Sequence, residues 1–246
     1  MAALFPPAKG GSCASCARRI RTSLCSSVTF AGCLLPAFLA CALALLPAAT
    51  VLAAEHSITG RVTGPDGKGI AQALVFVQSP VAKPPAVPPT ATMDQINKTF
   101  VPAVLPVVAG TKILFPNSDH IRHHVYSFSR AKTFELPLYK GEDAPPVLFE
   151  NAGVVKIGCN IHDWMSAIII VLPNPHYTWT DEDGKFSLPG LEAGTYTLAA
   201  WHPQASDKTD KTAQNVELAG DMQLSFTLAL SPLRPRPVAR GARWDQ

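Results

Sequence analysis

Seven consecutive residues, Cys159-Asn160-Ile161-His162-Asp163-Trp164-Met165, bring a thiolate, an imidazole and a thioether onto one short stretch. These are soft and borderline ligands that copper accepts in both oxidation states. One Cys and two His in a trigonal set, with a weak axial Met, suit a mononuclear ion that changes charge by one electron. The Cys-x2-His-x2-Met spacing lets a single loop wrap such an ion, and the fourth donor must then come from elsewhere. The run Asn117-Ser118-Asp119-His120-Ile121-Arg122-His123-His124-Val125 offers three histidines just before an expected strand. Taken singly, a cysteine is most often a small core hydrophobe and a methionine a core residue. Together, after a Gly-bounded strand and downstream of Asn-x-Asp and the histidines, they point to metal ligation. His120 reads as a solvated loop residue, and His56, His176 and His202 as structural or surface residues. Trp164 reads equally as an apolar cap on the site or as a contact surface for a partner.

The elements that must position these residues are strands. The chain has 23 prolines and 16 glycines in 246 residues, a turn-rich composition, and no segment after residue 54 sustains a helical period. Turn-bounded apolar runs predict strands at Ile58–Val62, Ala73–Val77, Lys112–Phe115, Val125–Phe128, Val154–Cys159 and Ala167–Leu172. Further strands are expected near Tyr177–Thr180, Lys185–Leu188, Thr195–Ala200 and Leu224–Leu230. Strands at this spacing, with Gly64-Pro65-Asp66-Gly67 and Pro173-Asn174-Pro175 as punctuation, predict an all-β chain of sandwiches. The proline-rich stretch from Ser79 to Pro89 reads as an extended linker.

The first 54 residues read differently. Lys9, Arg18, Arg19 and Arg21 precede an uncharged, Leu- and Ala-rich run from Phe30 to Ala54 that ends in small residues. This describes a secretory signal peptide with cleavage near Ala54–Glu55. A membrane anchor is the rival reading, since the run is long enough to span, but Pro36 and Pro47 within it favour cleavage. Arg18-Arg19 resembles a twin-arginine signal, which Ile20-Arg21-Thr22 fits badly. Localisation is therefore expected to be periplasmic or otherwise exported, with no stable membrane span after cleavage. Four basic and no acidic residues lie in this leader, so 17 basic residues face 18 acidic ones in the remainder. Such a near-neutral chain gives no reason to expect nucleic acid as a partner. Five of the six cysteines, Cys13, Cys16, Cys25, Cys33 and Cys41, also lie in the leader, leaving Cys159 alone. A lone thiol in an exported chain has no internal disulfide to make.

From Phe100 to Leu172 the chain resembles the cupredoxins, the plastocyanin and amicyanin type of blue copper protein. The resemblance is carried by Phe100-x-Pro102, Val107-x-x-Gly110-Thr111, Phe115-x-Asn117-x-Asp119, the His123 region and Gly153 through Met165. It implies a Greek-key sandwich binding one copper ion through His123, Cys159, His162 and Met165. One departure stands out: the position after the first ligand, commonly Asn in the family, is His124, which could brace the loop, titrate, or be the ligand in a shifted register. Residues 57–78 and 178–230 together resemble a regulatory, transthyretin-like sandwich of the carboxypeptidase-associated type, split by an inserted domain; two tandem sandwiches are the alternative. That likeness rests on Gly60-x-Val62, Asp66-Gly67-x-Gly69, Thr180-Asp181-x-Asp183-Gly184-x-Phe186 and Leu191-x-Ala193-Gly194-x-Tyr196. The whole is similar to exported proteins labelled as methylamine-utilisation components.

The implied organisation is a signal peptide over 1–54, a first part of the regulatory-like sandwich over 55–80, a linker over 81–92, a copper domain over 93–173, the rest of the regulatory-like sandwich over 174–230, and a disordered tail over 231–246. The resemblance implies one-electron transfer with a protein redox partner, and no enzymatic activity, because four protein ligands leave no open coordination position for a substrate. The alternative is a copper-carrying or sensing module in which the metal is structural.

Overall fold

The computed structural model describes residues 54–205 and 212–231. The expected signal peptide with its five cysteines, and the expected tail beyond Ser231, lie outside the described residues. Within them the chain is all-β, as the strand spacing predicts.

One sandwich is built from both ends of the described chain. Strand β1 (Glu55–Thr63) pairs antiparallel with β14 (Lys185–Glu192) and parallel with β17 (Met222–Thr227). The facing sheet runs in the order β13 (Tyr177–Trp179), β2 (Leu74–Ser79), β15 (Gly194–Trp201), β16 (Gln214–Leu218). Its core holds Ile58, Val62, Val75, Val77, Phe186, Leu188, Leu198 and Phe226. Gly60 lies where β1 meets β17: a Cβ there would come within 1.7 Å of the Leu224 carbonyl oxygen. Only glycine permits that approach. β17 ends at Thr227 rather than at the expected Leu230, because its partner β1 ends at Thr63, to whose oxygen Leu228 N–H makes the last bond.

Between β2 and β13 the chain leaves this sandwich and returns to it. The outgoing and returning segments lie side by side, with Ala82 N–H bonded to Pro173 O and the Asn174 side chain donating to Pro80 O. The extended stretch is shorter than expected. Residues Thr90–Thr92, placed in the linker by sequence, form β3 and pair parallel with β7 (Thr111–Leu114). The prolines end at Pro89, and β-branched threonines with free N–H groups can join a ladder.

The intervening residues form a second sandwich. One sheet has the order β6 (Val104–Val108), β12 (Ser166–Leu172), β11 (Gly153–Gly158), β8 (His123–Ser129), β9 (Lys132–Tyr139). Opposite lie β10 (Val147–Phe149), β7 and β3, together with a hairpin of β4 (Asp94–Ile96) and β5 (Thr99–Val101). The sequence reading missed β9, where Pro137 interrupts the pattern. The ladder shifts register between the His123 and Val125 pairs, which lets this edge strand carry a proline without losing a needed N–H. Asn97 and Lys98 turn the β4–β5 hairpin with φ of 51° and 58°, the primed-turn geometry that two-residue hairpins prefer.

The run Ala167-Ile168-Ile169-Ile170-Val171-Leu172 explains how the two sandwiches join. Side chains alternate between the faces of a strand. Ala167, Ile169 and Val171 therefore enter the core of the second sandwich, while Ile168, Ile170 and Leu172 point to the opposite face. There they meet Leu74, Phe76, Ala199 and Trp201 from the outer faces of β2 and β15. An uninterrupted apolar strand is the expected signature of burial on both faces. The junction holds the scaffold of the site against a second sheet.

Candidate metal centre

The loop 159–165 closes the β11–β12 hairpin. Gly158 pairs with Ser166, and one step further Cys159 N–H bonds to Met165 O at 3.1 Å. Met165 N–H in turn bonds to His162 O at 2.9 Å. The Cys-x5-Met spacing thus sets Cys159 and Met165 opposite each other, with His162 on the turn between. Cys159 and Met165 are both buried in the core of the second sandwich, at 3% and 2% exposure.

His123 begins β8 and is fully buried. Its Nδ1 lies 3.9 Å from Cys159 Sγ, and His162 Nδ1 lies 3.8 Å from the same sulfur. The three donor atoms fall within 4.8 Å of one another. The His123 and His162 rings stand 4.9 Å apart, edge to face. An ion bound trigonally at ordinary metal–sulfur and metal–imidazole lengths would hold a sulfur and a nitrogen about 3.7 Å apart. The spacings across this group fit a shared ion, and a free thiol is the donor that such an ion would select. His162 is partly exposed, and its ring lies 5.2 Å from that of Trp164, which is 48% exposed beside Ile161 at 49%. Burial, then the charges of His123 and Lys98, hold the His162 pKa below its ordinary value, with Asp119 opposing. The neutral ring with a free lone pair is thereby favoured.

The two adjacent histidines separate as strand alternation requires. His124 points away from the group: its Nε2 lies 2.8 Å from Glu135 Oε1 and its ring 5.7 Å from that of Tyr126. Its Nδ1 has no hydrogen-bond partner among the described residues. His120 is exposed, and His56, His176 and His202 belong to the other sandwich or its connections, outside the donor group. Of the four residues singled out by sequence, the structure brings together the donor atoms of His123, Cys159 and His162, and places Met165 at the closing end of their loop.

Sequence reasoning gave no role to the residues behind His123. Asp119 Oδ2 lies 2.7 Å from His123 Nε2, and the same carboxylate accepts from Asn97 N–H at 2.6 Å and Lys98 N–H at 2.8 Å. Burial alone would raise the Asp119 pKa, but these hydrogen bonds and the His123 ring outweigh it and hold the carboxyl below its usual range. Asn117 spans the loop from within, its amide donating to Ile121 O and Tyr139 O while its oxygen accepts from Asp119 N–H. The available signal was Asp119 standing four residues before the strand histidine. Its partner, the turn at Asn97, lies far away in sequence.

No family model matches the chain. No curated protein matches it either. Among solved structures it is similar to a Cu-containing nitrite reductase from Thermus scotoductus SA-01, at 24% identity over 40% of this chain and 27% of that one, with a TM-score of 0.34. A reduced variant of amicyanin aligns at 21% identity over 39% of this chain and 90% of its own, with a TM-score of 0.32. A purple cupredoxin from Nitrosopumilus maritimus aligns at 24% identity over 34% of this chain and 98% of its own, with a TM-score of 0.30. The chain thus spans about a quarter of the nitrite reductase and nearly all of the two smaller proteins. The geometry of the centre, rather than these distant likenesses, carries the functional reading.

Proposed function

We propose that this chain is an exported copper protein that passes single electrons between protein redox partners, with His123, Cys159 and His162 as the strong ligands and Met165 as the weak fourth. The observation that carries the proposal is the convergence of Cys159 Sγ with two imidazole Nδ1 atoms at 3.9 and 3.8 Å. When bound, copper supplies a one-electron couple that thiolate, imidazole and thioether donors support in both states. The residues supply the rest. Two of the three strong donors are buried and shielded from water, so the ligand set is held rigid by the closed hairpin and the core beneath it. His162 reaches the surface and gives the centre its outlet, bordered by Ile161 and Trp164. Four protein ligands leave no position for a substrate, which favours electron transfer over catalysis.

We read the segment between β2 and β13 as a copper domain inserted into a regulatory-like sandwich, supported by the direct pairing of β2 with β13 and β15. The apolar leader supports export. The test is the visible absorption of the purified, copper-loaded protein. An intense thiolate-to-copper band, absent from Cys159→Ser, is expected. A colourless Cu(II) protein would defeat the assignment. Zinc also accepts Cys and His, so competition between the two ions for the metal-free protein measures the preference.

A further inference from the structure

His123 is the only fully buried histidine among the described residues, and its two ring nitrogens face different groups. Nδ1 faces Cys159 Sγ at 3.9 Å, while Nε2 lies 2.7 Å from Asp119 Oδ2. An ionised carboxylate can only accept, and a neutral imidazole has one N–H to give. Whenever the ring is neutral, Asp119 therefore holds its one proton on Nε2 and leaves the Nδ1 lone pair facing the thiol.

The carboxylate is itself locked. The N–H groups of Asn97 and Lys98 hold it at 2.6 and 2.8 Å from the tip of the β4–β5 hairpin, and Asp119 N–H donates to Asn117 Oδ1 at 3.1 Å. The same hairpin grips the neighbouring residue, since Ser118 Oγ donates to Asp94 Oδ2 at 2.8 Å. A backbone carbonyl would fix the same tautomer without a charge. Here a carboxylate only 13% exposed stands directly behind a wholly buried ring.

We infer that Asp119 is the positioning residue of His123 and a fixed negative charge that favours the oxidised ion at the centre. The inference rests on the copper reading above and assigns an outer residue to it. A carboxylate behind a ligating imidazole raises the basicity of the ligand and sets the orientation of its ring. Its charge also attracts the more highly charged ion more strongly, the more so where little water screens it. The β4–β5 hairpin thereby becomes part of the centre, although it supplies no ligand.

Asp119→Asn keeps shape and one acceptor but removes the charge, and Asp119→Glu restores the charge. Loss of an outer partner typically costs a metal site 10–100-fold in affinity. Asp119→Asn is expected to lower the preference for Cu(II) over Cu(I) by about tenfold, a rise in reduction potential of about 59 mV for one electron. The Cys159 band should persist, and Asp119→Glu should recover part of the shift. The ring tautomer is read independently, by nitrogen NMR of the metal-free wild-type protein near neutral pH, where His123 should carry its proton on Nε2. An Asp119→Asn protein that keeps its colour at an unchanged potential overturns the inference, and so does a wild-type His123 protonated on Nδ1. The tautomer measurement decides the positioning role even if Asp119→Asn fails to fold. A colourless wild type with the Nε2–H tautomer would instead defeat the copper reading and leave the positioning of His123 intact.

Discussion

Replacing His123 and His124 by alanine, one at a time, separates two neighbouring histidines whose rings face different partners, Cys159 and Glu135. His124 makes one side-chain hydrogen bond, 2.8 Å to a Glu135 carboxylate whose side chain is 72% exposed. Pairs of that kind contribute about 0–1 kcal/mol. Its buried Nδ1 has no partner among the described residues and so loses none. His124→Ala should therefore cost the metal-free fold modestly, within the roughly 0.5–3 kcal/mol typical of point mutants, and leave copper binding alone. His123→Ala removes one of three converging donors. If that weakens copper affinity by about 100-fold, the linkage relation gives its size in stability. At free copper near 100 times the wild-type Kd, binding stabilises the fold by about 2.7 kcal/mol, and a hundredfold weaker site by only about 0.4 kcal/mol. Denaturant unfolding with and without copper, alongside a chelator-competition titration, reads both numbers on each variant. Copper stabilisation that survives in His123→Ala and vanishes in His124→Ala would refute the placement of the two rings.

Three further outcomes follow from other parts of the structure. Trp164→Ala should leave copper affinity within about 0.5 kcal/mol, since the ring is half exposed. It should slow electron self-exchange in mixed Cu(I)/Cu(II) samples about tenfold, as loss of a contact anchor would; collapse of copper binding would instead make Trp164 a structural cap. Trp201→Ala, at the junction of the two sandwiches and 2% exposed, should destabilise the fold by about 3–5 kcal/mol in denaturant titration, and a cost below 1 kcal/mol would mean that the junction is not a packed core. Burial, with the charges of Asp94 and Cys159 adding and Gln95 opposing, pushes the Tyr139 phenol up to about 12 from 10.0. The folded protein therefore stays protonated where the unfolded chain ionises. Its stability should be complete below pH 10 and fall between pH 10 and about 12, by roughly 2–3 kcal/mol at 1.36 kcal/mol per unit, a loss that Tyr139→Phe should remove.

What was legible in the sequence was whatever is local. Cys159, His162 and Met165 share a seven-residue loop, and alternation along β8 separates His123 from His124 by elementary strand geometry. The apolar run of β12 was likewise visible as a strand, but its length alone did not reveal that its two faces serve different cores. That needs the positions of Leu74, Phe76 and Trp201, which are remote in sequence. β9 was missed because Pro137 breaks the pattern, and only the register shift at an edge strand makes the proline tolerable. The hairpin at Asn97 and Lys98 was missed for a related reason. Its strands are three residues each, too short for periodicity to register, although Asn97 stands at the turn. Its contact with Asp119 depends on tertiary packing, which no local pattern carries. The outer support of His123 was thus legible only as Asp119 four residues ahead of it, whereas His123 itself was singled out.

The most direct test of the proposed copper centre is the absorption and spin-resonance spectrum of the copper-loaded protein beside its Cys159→Ser variant. Convergence of one thiolate and two imidazoles predicts an intense visible charge-transfer band in the first and none in the second. An ordinary tetragonal Cu(II) signal without colour in the wild type, or a band that survives the loss of Cys159, would contradict the assignment.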